Sequence, residues 1–167
     1  GSVDFIFGRD ISMFDDCTIN CNRNNGTLTA ANTDAGYQYG YVFNNCTIST
    51  DVTGFDGNPI TNFYLGRPWQ ASPRTVFINC YEPANLNAEG WQQWGLTNPA
   101  LYAEYNCSGP GSNFSTRFST WPAEIKPATS QLTAEQAASY TLSNIYAKNT
   151  SPIPYGESWL PSKEQID

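Results

Sequence analysis

The 167-residue sequence contains no histidine. That excludes Ser-His-Asp and Cys-His nucleophile systems and any histidine-based metal centre. Hydrolytic chemistry would have to use carboxylates, arginine, lysine, tyrosine or side-chain amides. Charge is scarce: Asp, Glu, Lys and Arg make up 14% of the chain, and only eight residues are Lys or Arg. With a net charge of −7, the chain lacks the basic footprint that a nucleic-acid backbone needs. No apolar run reaches membrane-spanning length, and no secretory leader opens the chain. There is no initiator methionine either. The chain opens directly on strand-forming residues, so it is expected to be the inside of a longer polypeptide. The five cysteines are an odd number with no Cys-x-x-Cys pair, which argues against a zinc ribbon. Nothing in the composition calls for a metal or a cofactor.

What is abundant is aromatic and small polar. Five Trp, ten Tyr and nine Phe accompany many Asn, Thr, Ser and Gly. That balance suits an all-β protein with polar turns, and exposed rings suit carbohydrate. Short strand-like runs are expected at residues 3–7, 14–21, 28–30, 39–48, 62–66, 75–80 and 100–105, separated by Gly, Asn and Asp turns. Phe14-x-x-Cys17-Thr18-Ile19 recurs as Phe43-x-x-Cys46-Thr47-Ile48 and more weakly as Phe77-x-x-Cys80. The intervals of 29 and 34 residues fall within the range of solenoid repeats. Stacked coils would place Phe on Phe and Cys on Cys. The cysteines then read as buried ladder positions, with disulfide pairing as the other possibility. Cys17 and Cys21, on one expected strand, would lie roughly 13 Å apart, too far to bridge without a bend. After about residue 108 the β pattern fades. Thr133-Ala134-Glu135-Gln136 is a capping box that should open a short helix reaching about Thr141. Residues 153–161 should form an extended tail whose Trp159 and Leu160 pack over the solenoid. Sequons at Asn25, Asn45, Asn106, Asn113 and Asn149 favour a secreted glycoprotein.

Two stretches could carry chemistry. In Gly1-Ser2-Val3-Asp4-Phe5-Ile6-Phe7-Gly8, one carboxylate sits in an apolar, strand-like run. Burying such a charge is costly unless it is paired. The candidate partner is Arg67, in Leu65-Gly66-Arg67-Pro68-Trp69 at the end of another expected strand. In a solenoid these residues could meet two coils apart, and a guanidinium fork would orient the carboxylate. Spacing alone leaves two readings open: a structural ion pair, or a tuned catalytic group.

The same two stretches resemble, in order and separation, the C-terminal motifs of the pectin methylesterases (pectinesterases). Trp91-x-x-Trp94, Glu104-Tyr105-Asn106, Gly109-Pro110-Gly111 and Trp159-Leu160-Pro161 look like later landmarks of that family, so the resemblance covers nearly the whole chain. The sequons fit a fungal-like secreted member. The resemblance implies a right-handed parallel β-helix, here a partial solenoid forming the C-terminal part (residues 1–167) of a single domain. It implies hydrolysis of methyl esters of polygalacturonate (pectin) without metal or cofactor, by a monomer at the cell wall. Position by position, Asp4 matches the nucleophile and Arg67 the arginine paired with it. Trp69 matches a substrate-contacting ring, and Phe7 is expected to be a second. The family's general acid and oxyanion glutamines precede the nucleophile motif and are not in this sequence. Asp10, Asp15 and Asp16 are nearby, but nothing places them as substitutes. This stretch alone is therefore expected to be inactive. The alternative is a non-catalytic pectin-binding β-helix module. A pectin lyase or polygalacturonase is a third possibility, for which Asp15-Asp16 is thin evidence of a calcium site.

Overall fold

The computed structural model describes residues 1–70 and 72–146. The expected tail at 153–161 and the sequon at Asn149 lie outside the described residues. Each coil of the chain is built from up to three short strands. The first coil holds β1 (Ile6–Gly8), β2 (Ser12–Asp15) and β3 (Thr18–Cys21); the second holds β4 (Gly26–Ala31), β5 (Tyr41–Asn44) and β6 (Thr47–Thr50). The third has β7 (Phe63–Gly66) and β8 (Arg74–Ile78), and the fourth has β9 (Leu101–Tyr105). All strand pairs are parallel and join equivalent strands of successive coils, giving sheets ordered β1-β4-β7, β2-β5-β8-β9 and β3-β6. This is the expected parallel β-helix.

The expected single strands at 14–21 and 39–48 are each two strands meeting at a corner. The corner is one residue in the left-handed region: Asp16 (φ 51°) and Asn45 (φ 54°). Asn79 (φ 54°) and Asn106 (φ 51°) make the same bend in the next two coils. Asn and Asp tolerate this conformation better than other residues with a β-carbon. The corners also stack: Asn44 and Asn45 both donate through Nδ2 to Asp15 Oδ1 (2.8 and 3.2 Å), and Asn106 Nδ2 donates to Asn79 Oδ1 (2.8 Å). Asp15 thus belongs to a corner ladder, away from Asp4.

A cysteine follows each corner. Bridges at Thr18↔Thr47, Thr47↔Tyr81 and Tyr81↔Ser108 put Cys17, Cys46, Cys80 and Cys107 in one file. Their thiols are free, and Cys46, Cys80 and Cys107 each donate to a carbonyl of the preceding coil, that of Phe14, Phe43 and Phe77. Beside them the rings stack as the repeat foretold. Phe14 and Phe43 lie 4.8 Å apart at 7°, Phe43 and Phe77 4.4 Å apart at 6°. Burying each ring is worth about 1.5–3 kcal/mol. Trp91 extends the stack edge-on and lies flat against Tyr102 at 4.1 Å.

Thr133 caps α1 (Ala134–Ala138) with both bonds of the capping box present. The helix stops three residues short of the expected Thr141, which instead caps a second short helix, α2 (Leu142–Ile145). Ile145 and Leu132 seal an apolar cluster with Val42, Val76 and Ala103 on the outer face of the four-stranded sheet.

A fully buried charge cluster fastens the fourth coil. Arg117 donates from Nε and Nη2 to Glu104 (both 2.8 Å) and from Nη2 to Glu82 (2.9 Å), and all three side chains are 0% exposed. Its remaining bonds go to the carbonyls of Ala88 and Gly111. Two carboxylates face one guanidinium. Burial first, and the charge of Glu104 second, push the Glu82 carboxyl up to about 11. Gly90 (φ 71°) lies against Arg117, and a β-carbon there would run into its side chain.

Candidate active site

The expectation that Asp4 lies within a strand is not met, because β1 begins at Ile6. Asp4 instead adopts φ 49°, a conformation that an aspartate tolerates at a cost. Its backbone N–H donates to Thr27 O at 2.8 Å, which docks the bend on β4. The register then determines what can reach the carboxylate. Ile6 pairs with Thr29, and Thr29 with Gly66, so β4 separates β1 from β7. Two strand spacings are roughly 10 Å. Only a long side chain can cross that gap, and Arg67, one residue beyond β7, does so.

The contact is a fork. Arg67 Nη2 donates to Asp4 Oδ2 at 2.5 Å, and Nε lies 3.0 and 3.1 Å from the two carboxylate oxygens. Thr27 Oγ1 donates a short hydrogen bond to Asp4 Oδ1. Each carboxylate oxygen thus accepts two contacts, with the Nε–H of Arg67 shared between them. The Asp4 and Arg67 side chains remain 20% and 26% exposed, so the pair opens to solvent. Gly66 makes this approach possible, since a β-carbon there would collide with Thr29 Oγ1.

Aromatic rings border the pair. Phe7 and Trp69 meet edge to face at 6.0 Å, 65% and 39% exposed. Large rings left open to water are ready to cover an apolar or sugar face. The fourth coil supports Arg67 from the other side: Trp94 stacks under its guanidinium at 4.1 Å, and Gln92 Oε1 accepts from Nη1 at 3.4 Å. Below the site the Tyr102 hydroxyl is buried without a hydrogen-bond partner. Burial, with the charge of Asp4 adding to it, pushes that phenol up.

All four residues expected at the site, Asp4, Arg67, Trp69 and Phe7, therefore converge. Thr27, Gln92 and Trp94 were not foreseen. Thr27 belongs to an unremarkable Gly26-Thr27-Leu28-Thr29 run and becomes visible only once β4 is seen to lie between the paired strands. The Trp91-x-x-Trp94 motif was legible, but not that its first ring is core and its second caps Arg67. Among the described residues no group of three or more His, Cys, Asp or Glu side chains could hold a metal ion, and Asp15-Asp16 makes no such cluster.

Comparison with known proteins gives one answer throughout. A solved pectin methylesterase from carrot superposes with a TM-score of 0.67 at 27% identity, over 87% of this chain and 46% of that one. One from Aspergillus niger gives 0.63 at 29% identity, over 82% and 43%. A pectinesterase of Petunia integrifolia is 31% identical over 169 residues, which is 96% of this chain and 42% of the relative. The chain spans between 22% and 42% of the length of the curated relatives it matches. The family model described as Pectinesterase matches residues 1–149, and the chain belongs to that family.

Proposed function

We propose that this chain carries the nucleophile and substrate-gripping part of a site that hydrolyses methyl esters of polygalacturonate. One observation supports this above the rest. Asp4 is held by Thr27 and by the Arg67 fork, yet it opens to solvent beside two exposed rings. A purely structural ion pair has no need of that opening. A carboxylate oxygen of Asp4 attacks the ester carbonyl. The tetrahedral intermediate collapses, expelling methoxide, which leaves as methanol after gaining a proton. Water then attacks the acyl-enzyme anhydride, releasing the free galacturonate and restoring Asp4. Arg67 fixes the carboxylate in its attacking orientation, and Phe7 and Trp69 offer flat faces to the sugar ring.

The proton for methanol and the donors for the oxyanion would come from a segment preceding this one, as the family resemblance implies. Without oxyanion donors a site loses about 10²–10³ in rate, and without a general acid a further ~10²–10⁴. The 167-residue chain alone is therefore proposed to bind pectin but to turn it over negligibly. The working protein is proposed to be a monomer, secreted and acting at the cell wall.

The test is methanol release from highly esterified pectin. The expected result is no turnover by the isolated chain, and turnover by a longer protein that contains it, lost on Asp4→Asn. Robust turnover by the isolated chain, abolished by Asp4→Ala, would refute the division of labour. Activity surviving Asp4→Asn in the longer protein would remove Asp4 from the nucleophile's role. Polygalacturonate binding by the longer protein with no methanol at all would make the fold a binding module.

A further inference from the structure

The turn that leads into β4 borders a recess of its own. It is an open cavity of about 480 Å³ between the turn after β3 and the long connection from β6 to β7, lined by Arg23, Asn24, Asn25, Asp56, Asn58 and Thr61 among others. Two of its amides are engaged on one side only. Asn24 Oδ1 already accepts from the N–H of Thr61 and of Asn62 (3.1 and 3.0 Å), and Asn25 Oδ1 accepts from Asn62 Nδ2 (2.9 Å). The oxygen ends of both amides are thus used by the fold, and their N–H₂ ends are left over. Neither those amides nor the Arg23 guanidinium donates to any acceptor among the described residues. The carboxylate in the recess, Asp56, is engaged by the Asn58 N–H at 3.1 Å. That bond, with the charge of Arg23 adding to it, holds its pKa down. At the rim Phe55 is 67% exposed, and Arg23 sits 5.9 Å from its ring centroid.

We propose that this recess is a second carbohydrate site, one that takes the free carboxylate of an acidic sugar. A carboxylate is acceptor-only and matches the spare donors of Arg23, Asn24 and Asn25. The pyranose face would lie on Phe55. A methyl ester carries no charge and pairs poorly with a guanidinium, so the site distinguishes demethylated sugar from esterified sugar. Demethylated sugar is what the proposed reaction makes. The recess would hold product stretches of the polymer while Asp4 works on the ester. This extends the reading of the Asp4 cleft as a pectin site and rests on it.

The experiment is a ¹H–¹⁵N titration of the unglycosylated chain with trigalacturonate and with its fully methyl-esterified counterpart. The expected result is that the acid shifts the Arg23 Nε–H and the Asn24 and Asn25 side-chain amides, while the ester shifts the Trp69 indole and leaves those amides still. Arg23→Gln should weaken the acid's effect on the two amides about tenfold, the size expected of a charged hydrogen bond. Acid and ester shifting the Asn24 and Asn25 amides alike would overturn the selectivity. Shifts confined to the Trp69 cleft would remove the second site and leave the first intact. Binding at neither place would remove both.

Discussion

The chain holds two arginine–carboxylate clusters, and they are opposites. Arg67 and Asp4 meet at the surface, a quarter to a fifth exposed, with a stacked Trp94 and open rings beside them. Arg117, Glu104 and Glu82 meet with no exposure at all, and backbone carbonyls take the remaining donors of the guanidinium. The chemistry of the contact is similar, but the surroundings give each a different task. A buried pair cannot be reached by a substrate, and removing one partner strands a charge in the interior. An open pair adds little to stability, and its carboxylate stays available.

Breaking the buried cluster should therefore have the largest effect on stability. Arg117→Met leaves two acidic side chains facing each other without a cation. It should cost about 3–5 kcal/mol, read as a fall in the urea midpoint. A loss below about 1 kcal/mol would mean the cluster is not the fastening it looks like.

The same cluster should make stability depend on pH. Glu82 has an ordinary value of 4.5 and is pushed up to about 11 in the fold, so the folded state binds a proton that the unfolded chain releases. Its contribution is full below about pH 4.5 and shrinks as pH rises towards 11. The urea midpoint should decline between pH 5 and pH 9, and Glu82→Gln should flatten that decline. An unchanged slope in the variant would place the pH dependence elsewhere.

Tyr102→Phe bears on the region beneath the open pair. It deletes a buried hydroxyl with no partner and should raise stability by about 1 kcal/mol. A loss instead would reveal a bond from that hydroxyl towards the site. The smallest stability effect belongs to Arg67→Met, about 0–1 kcal/mol. In a longer, active protein the same change should lower methanol release far more than it moves the urea midpoint. A large stability loss with little change in turnover would reverse the contrast between the clusters.

The two clusters were also unequally legible. Asp4 and Arg67 stand in compact motifs, each beside a glycine and large rings, and the repeat of Phe-x-x-Cys announced the coils that bring them together. Glu82, Glu104 and Arg117 lie far apart in residues that look like solvated surface. Only the stacking of the fourth coil on the loop beyond it shows that they share one interior point. Thr27 was hidden for the same reason, as its role comes from lying between two strands that are distant in sequence. The corner residues misled differently. Asp16 and Asn45 look like polar interruptions inside long strands, and a single left-handed residue leaves no mark in the hydrophobic pattern.

Those corners limit how such a chain can change length. One residue turns the path from the Phe file to the Cys and Ile file, with the same geometry in four successive coils. A residue inserted there would flip Ile19 or Ile48 from the core to solvent, since side chains alternate sides at every step. The connection from β6 to β7 has no such constraint and is mostly exposed. Growth and loss of sequence are thus channelled into that connection, which leads into the Asp4 sheet. The rim beside the Asp4 sheet can be remodelled while the spacing of the coils stays the same.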